Sequence, residues 1–246
     1  MVQMIAFDRL ANVRDLGGPR GAAGRRVRTG LLYRADALSK LHGAGEQDLA
    51  RFAKLGLRTV IDLLYPFEIA EAGRVPGVEG LDYHNLSIEH VLYDQSVEGA
   101  DVPSDRFFAD RYAETVRDGS AEIRAALEII AAADSAPLAF HCKSGKDRTG
   151  IIAALLLALL DVSVEDIVAD YALTELARPR FAEVWRSRHP GQEPPLHTHL
   201  WRAPAEAMRI FLTELGRDYG SVSGYVASTG ADAPALTAVL RALYLA

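Results

Sequence analysis

Two hydrophobic periods alternate along this chain. Over residues 46–55 the apolar side chains Leu49, Phe52, Ala53 and Leu55 keep helical spacing, and Gly56 stands where a left-handed C-terminal cap belongs. Residues 59–64 then run β-branched and continuously apolar, as a strand buried on both faces does. The spacing predicts a helix over 105–117. A second follows from Ser120, a good N-cap, through Ile123, Leu127 and Ile130 to Asp134, with Pro137 ending it. Residues 138–141 predict a short buried strand, and Gly150 opens an apolar helix whose run stops at Asp161. Ser163-Val164-Glu165-Asp166 has the capping-box pattern ahead of Ile167 and Val168. Before residue 46 the turn-rich Asn12-Val13-Arg14-Asp15-Leu16-Gly17-Gly18 and the run Gly30-Leu31-Leu32-Tyr33-Arg34 predict a hairpin or meander. Residues 88–106 lack a clean period and read as a long loop. Beyond Tyr171, helical patches are broken over 189–195, and a last helix is predicted from about Ala233 to Tyr244. The sum is one α/β domain over 1–246: a central, mostly parallel sheet flanked by helices, with a helical C-terminal elaboration.

Composition narrows the classes. The chain has 246 residues, a formal charge of −6 and one cysteine. A single thiol forms neither an intramolecular disulfide nor a Cys-based zinc cage. An acidic average speaks against a general nucleic-acid binder while leaving room for a local basic pocket. The apolar run over 151–160 falls short of the ~20 residues a membrane-spanning helix needs, so no transmembrane segment is expected. The first ten residues lack a basic start followed by an apolar stretch, which makes a cytoplasmic location the default expectation.

The informative stretch is His141-Cys142-Lys143-Ser144-Gly145-Lys146-Asp147-Arg148-Thr149-Gly150, set between a strand and a helix. There, several backbone N–H groups converge with the positive end of a helix dipole and form a cradle for an anion. A cysteine in such a cradle is favoured as thiolate. Arg148 returns to the mouth, where its planar fork can hold two oxygens of a phosphate. A Walker-type phosphate loop does not fit, because it needs glycine where Phe140 stands and Ser or Thr where Asp147 stands. An inert core cysteine is the bland alternative. The flanking His141, Gly145, Arg148, Thr149 and Gly150 argue against it.

This loop resembles the Cys-x5-Arg signature of protein tyrosine and dual-specificity phosphatases, and the whole string resembles the bacterial and fungal tyrosine/serine phosphatases. Further strings resemble that family in order: Asn12 to Gly18, Leu32-Tyr33-Arg34-Ala35, Thr59-Val60-Ile61-Asp62-Leu63, Ile167-Val168-Ala169-Asp170-Tyr171 and Tyr219-Gly220-Ser221. The family's strand ends Asp-Leu-Arg followed by a Glu. Here Leu64 replaces the arginine and Glu68 is kept. The resemblance implies a phosphatase-type sheet with lid-like helices over 171–205, whose apolar face would hold Phe181, Val184, Trp185 and Trp201. It includes secreted members, so export without a standard signal stays open.

The chemistry expected of these residues starts with in-line attack by Cys142 on phosphorus, giving a phosphocysteine that water hydrolyses. Arg148 and the loop amides from Lys143 to Arg148, through Ser144, Gly145 and Lys146, bind the equatorial oxygens. No metal or other cofactor is expected. Thr149 donates to the thiolate or caps the helix; His141 orients the loop through hydrogen bonds. Asp147, carried over from the family, and Asp62 are the two candidate acids, with Asp94, Asp101 and Asp105 behind them. Lys143 and Lys146 resemble the extra cations of phosphoinositide phosphatases, Lys143 facing pocket or solvent, Lys146 facing pocket or Asp147. Arg14 and Arg34 add charge at the mouth or lie at the surface. The substrates expected are phosphoproteins, phosphotyrosine foremost, or phosphoinositides. A silent phosphate-binding module and a loop-cysteine arsenate reductase are the alternatives. His189, His197 and His199 read as solvated or packing residues rather than metal ligands.

Overall fold

Helical and strand periods alternate as the sequence predicts, and the computed structural model describes residues 4–77, 79–91, 103–192 and 202–246. In chain order the elements are β1 (Arg14–Asp15), β2 (Leu32–Ala35), α1 (Glu46–Lys54), β3 (Thr59–Asp62), α2 (Pro66–Ala72), β4 (Asp82–Asn85), α3 (Ser104–Asp118), α4 (Ser120–Ile130), β5 (Leu138–His141), α5 (Asp147–Leu159), α6 (Val164–Ala172), α7 (Arg178–Arg188), α8 (Ala205–Tyr219), α9 (Val222–Ser228) and α10 (Ala233–Tyr244). The sheet runs β1-β2-β5-β3-β4; β1 pairs antiparallel to β2 and the other pairings are parallel.

Side chains on successive strand positions go to opposite faces, and both faces are covered. Leu32, Ile61, Leu138 and Phe140 join the core around α5, whereas Tyr33, Ala35, Val60 and Ala139 join a second core against which Phe52 and Leu55 of the α1 region pack. This explains why β3 and β5 read as unbroken apolar runs. Helix α5 is apolar all round and buried along nearly its whole length, the mark of a core helix. It touches α3, α4, α6, α9 and α10. Ala35, His141 and Asp62 lie side by side at the carboxyl ends of β2, β5 and β3. That end of a parallel sheet is where ligands bind in open α/β folds.

Several boundaries differ from expectation for local reasons. Helix α5 opens at Asp147 rather than Gly150, which puts Asp147, Arg148 and Thr149 in its first turn. Helix α4 begins at Ser120, with Gly119 as its cap and no side-chain capping bond, and it stops at Ile130. Gly119 is needed there because a Cβ would sit 2.0 Å from the Ile88 carbonyl oxygen. Ser163 does cap α6, accepting from the Asp166 N–H at 3.1 Å. Among the described residues no helix is long and apolar enough to cross a membrane.

Candidate active site

The loop between β5 and α5 is shaped from outside. A trans peptide holds its C=O and the following N–H on opposite sides. Leu63 N–H donates to the His141 carbonyl at 2.9 Å and Ala37 N–H to the Lys143 carbonyl at 3.3 Å. Asn12 Nδ2 reaches the Ser144 carbonyl at 2.9 Å and that of Gly145 at 3.1 Å, and Arg34 Nη2 reaches Gly145 at 2.8 Å. With these carbonyls drawn outward, the N–H groups of Cys142, Ser144, Gly145 and Lys146 turn toward the concave side, beside the first turn of α5. Gly145 has φ +67°, and a Cβ there would lie 2.5 Å from the Ala35 carbonyl oxygen, so only glycine lets the loop close against β2.

Behind the loop sits a buried ionic cluster. Asp170 of α6 accepts from Arg14 Nε at 2.8 Å and from Arg34 Nη1, while Arg14 also reaches the Asn12 side-chain oxygen and the Asp170 carbonyl. All four side chains are closed to solvent. Arg14 and Arg34 are therefore neither at the mouth nor at the surface. Burial disfavours the Asp170 carboxylate, yet the two guanidinium groups outweigh it and hold Asp170 below the usual aspartate range. Burial, then the like charge of Arg34, pulls Arg14 down to about 10, so it stays charged at neutral pH.

Cys142 is 1% exposed at the end of β5. Arg148 donates from Nη1 to Glu68 at 2.7 Å and to the Leu63 carbonyl at 3.1 Å, and from Nη2 to Glu68 at 3.3 Å. Its Nε lies 3.3 Å from Glu89 Oε2, and the guanidinium stacks over Tyr65. Burial works against the Arg148 charge, but Cys142, Glu68 and Glu89 raise its pKa further above the usual arginine value. Glu68 in turn is held low by Arg148 despite burial. Leu64 lies in the core, and Arg148 takes its carboxylate from Glu68 without the arginine that Leu64 replaces.

The remaining predicted residues divide. Asp147 is at the mouth, its Oδ1 accepting from the Tyr112 hydroxyl at 2.7 Å and lying 3.5 Å from Lys146 Nζ; Tyr112 also contacts the Tyr171 hydroxyl. Lys146 is buried, donates to the Arg202 carbonyl at 3.0 Å and sits 3.9 Å from the Phe108 ring centroid. Lys143 is exposed and Ser144 half-buried. Thr149 is closed to solvent and its hydroxyl has no hydrogen-bond partner among the described residues. Asp62 is also buried: Oδ1 accepts from the Leu64 N–H and Oδ2 from the Tyr83 hydroxyl at 2.6 Å. His141 differs from expectation, because neither ring nitrogen makes a hydrogen bond to the described residues and Asp62 is 3.7 Å away; burial, outweighing Asp62, keeps the ring neutral. Asp105 accepts from its neighbour's N–H at the start of α3. Asp94, Asp101, His197, His199 and Trp201 lie outside the described residues.

Sequence reasoning missed Glu89, Tyr65 and Tyr112, which stand in stretches with no motif. It quoted Asn12 and Asp170 only inside longer strings, where nothing marks them as the loop's supports.

Comparison with known proteins agrees with this geometry. The profile described as "Tyrosine phosphatase family" matches residues 5–246. A Cupriavidus necator protein provisionally named a tyrosine-protein phosphatase is 33% identical over 231 residues, covering 90% of this chain and 82% of that one. The triple specificity protein phosphatase PtpB of Mycobacterium tuberculosis is 26% identical, covering 83% and 87%. Solved structures are less similar. The core catalytic domain of the S. cerevisiae phosphatase SIW14 gives a TM-score of 0.36 at 16% identity, covering 77% of this chain and 86% of that one. P. aeruginosa TpbA gives 0.37 at 15%, covering 97% and 94%. Those two likenesses are too slight to bear on function; the match over nearly the whole chain is not, and this chain belongs to the tyrosine phosphatase family and is a phosphatase.

Proposed function

We propose that the protein hydrolyses phosphate monoesters through a phosphocysteine on Cys142, with phosphotyrosine as its main substrate. The observation that carries this reading is the loop itself: Cys142 and Arg148 stand at its two ends, and outside donors turn its carbonyls away from the space between them. The thiolate attacks phosphorus in line, and Arg148 with the inward amides takes the three equatorial oxygens, where charge spreads as the bond to the leaving oxygen lengthens. Glu68 fixes the guanidinium through both terminal nitrogens, so its orientation is set before substrate arrives. We assign Asp62 to support, tying Leu64 and Tyr83 to the end of β3. We assign Asp147, gripped by Tyr112, to setting the charge at the mouth.

Substrate preference follows from the lysines. Lys146 has its ammonium over Phe108 and near Asp147, which leaves Lys143 as the lysine of the loop directed to solvent. One such cation suits a singly phosphorylated ring better than a multiply phosphorylated inositol. In excess chelator the protein is expected to hydrolyse an aryl phosphate at an unchanged rate, with a phosphotyrosine peptide cleaved faster than phosphoserine, phosphothreonine or phosphoinositide substrates. Faster phosphoinositide turnover would reverse the preference. No turnover of any ester would favour the silent binding module or, if arsenate is consumed with an added thiol, the reductase.

Residues 171–205 extend the same reading. Helix α7 rests on the N-terminal segment through Arg180, which donates to the Asp8 carbonyl, and Phe181 lies under Lys40. Lys146 is tied to Arg202. We propose that the described part of this segment, residues 171–192 and 202–205, closes over the loop when an oxyanion binds. Tryptic cleavage after Arg180 and Arg186 is expected to slow on adding vanadate, and cleavage at an unchanged rate would remove the lid from the account.

A further inference from the structure

The leaving oxygen needs a proton, and the carboxyl groups around the loop are not equivalent. Asp62 is sealed behind the loop with both oxygens engaged, and Glu68 is doubly bonded to Arg148. Asp147 accepts from Tyr112 and faces Lys146. Glu89 stands apart. It lies just beyond β4, its side chain 13% exposed, with Oε2 3.3 Å from Arg148 Nε. Nε belongs to the edge of the guanidinium that Glu68 leaves open. Glu89 Oε2 therefore lies against the edge of Arg148 that would take a phosphoryl group.

We propose that Glu89 is the general acid of the first step and the general base of the second. In the first, the bond from the Cys142 sulfur to phosphorus forms, the bond from phosphorus to the ester oxygen breaks, and that oxygen takes the Glu89 proton. In the second, water oxygen bonds to phosphorus, the sulfur–phosphorus bond breaks to restore the thiolate, and Glu89 takes the proton of the water. The cycle is balanced as hydrolysis, with nothing else consumed. The assignment rests on the phosphocysteine reading above.

The surroundings of Glu89 suit that work. Burial pushes its carboxyl above the ordinary glutamate range; the charges of Asp147 and Glu68 add to the rise, while Arg148 and a hydrogen bond with Tyr65 oppose it. From α3, Arg111, Glu114 and Asp118 line a small cavity shared with Glu89. Two neighbouring carboxyls with different surroundings are how one site keeps a proton ready beside a fixed anion. Here the surroundings do differ: Glu89 lies against the Arg148 Nε, whereas Asp147 is gripped by Tyr112 and faces Lys146.

The test compares Glu89→Gln, Glu89→Asp and Asp147→Asn on two aryl phosphates, one with a good and one with a poor leaving group, across pH. Glu89→Gln is expected to lose roughly 10²- to 10³-fold in kcat on the poor leaving group and less than about tenfold on the good one. The descending limb of the pH–rate profile should flatten in the same variant. Glu89→Asp should recover part of the loss. Equal loss on both substrates, or a leaving-group-dependent loss confined to Asp147→Asn, overturns the assignment and leaves the phosphocysteine reading standing. Turnover that survives Cys142→Ser overturns both.

Discussion

Cys142→Ser is expected to abolish turnover, by roughly 10⁴- to 10⁶-fold, the scale on which loss of a nucleophile is felt, while vanadate or a phosphate ester still binds. Oxyanion binding and nucleophilic attack rest on separable parts. In the proposed reaction Arg148, the loop amides and the first turn of α5 bind the oxyanion, and none of them depends on the sulfur. Serine keeps the shape of a side chain that is 1% exposed and leaves the packing of β5 undisturbed. What it removes is the proposed nucleophile, because a hydroxyl ionises far less readily than a thiol and the neutral His141 ring beside it makes no hydrogen bond to any described residue. Binding by calorimetry alongside a steady-state assay checks the split. Loss of binding together with turnover would show that the thiolate helps build the site; a serine variant with most of its rate would remove Cys142 from the chemistry.

The second large effect is on stability. Asp170→Asn leaves the guanidinium groups of Arg14 and Arg34 buried without a counter-charge, and breaking such a cluster costs about 3–5 kcal/mol. A lower urea midpoint measures this. Because Arg34 also holds the Gly145 carbonyl, the loop should loosen, and a displacement of about 1 Å at a catalytic group costs roughly 10²-fold in rate. The pH dependence has a definite sign. The Asp170 pKa is depressed in the folded protein, so its contribution is complete above the unfolded value near 3.8 and is lost as pH falls through the lower folded value. The gap between wild type and Asp170→Asn is therefore expected to narrow on acidification below that point. A midpoint within about 0.5 kcal/mol of wild type at neutral pH would mean that asparagine replaces the cluster's hydrogen bonds without cost.

Legibility in the sequence follows how local each feature is. The cysteine loop stands in one run of ten residues, and strand β5 and helix α5 around it are apolar enough to be unmistakable. The polar β4, Asp82–Asn85, is an edge strand with no alternation, and the short α2 begins at Pro66 with little period to read. The charged supports are different again. Arg14, Arg34 and Asp170 are far apart in the chain, and nothing local separates an arginine destined for a buried cluster from one at the surface. Glu89 sits in a polar stretch after β4, and its role depends on what Arg148, Asp147 and Tyr65 bring to it.

The corner between α3 and α4 gives that glutamate its footing. Only Gly119 separates the two helices, and its bare Cα lets the Ile88 backbone press into the corner, with Ile88 itself fully buried. The residue after Ile88 is Glu89. The reach of Glu89 toward Arg148 is thus set by a methyl group that is missing at the α3–α4 corner, and that corner, with no chemistry of its own, acts as the ruler for the proposed proton donor.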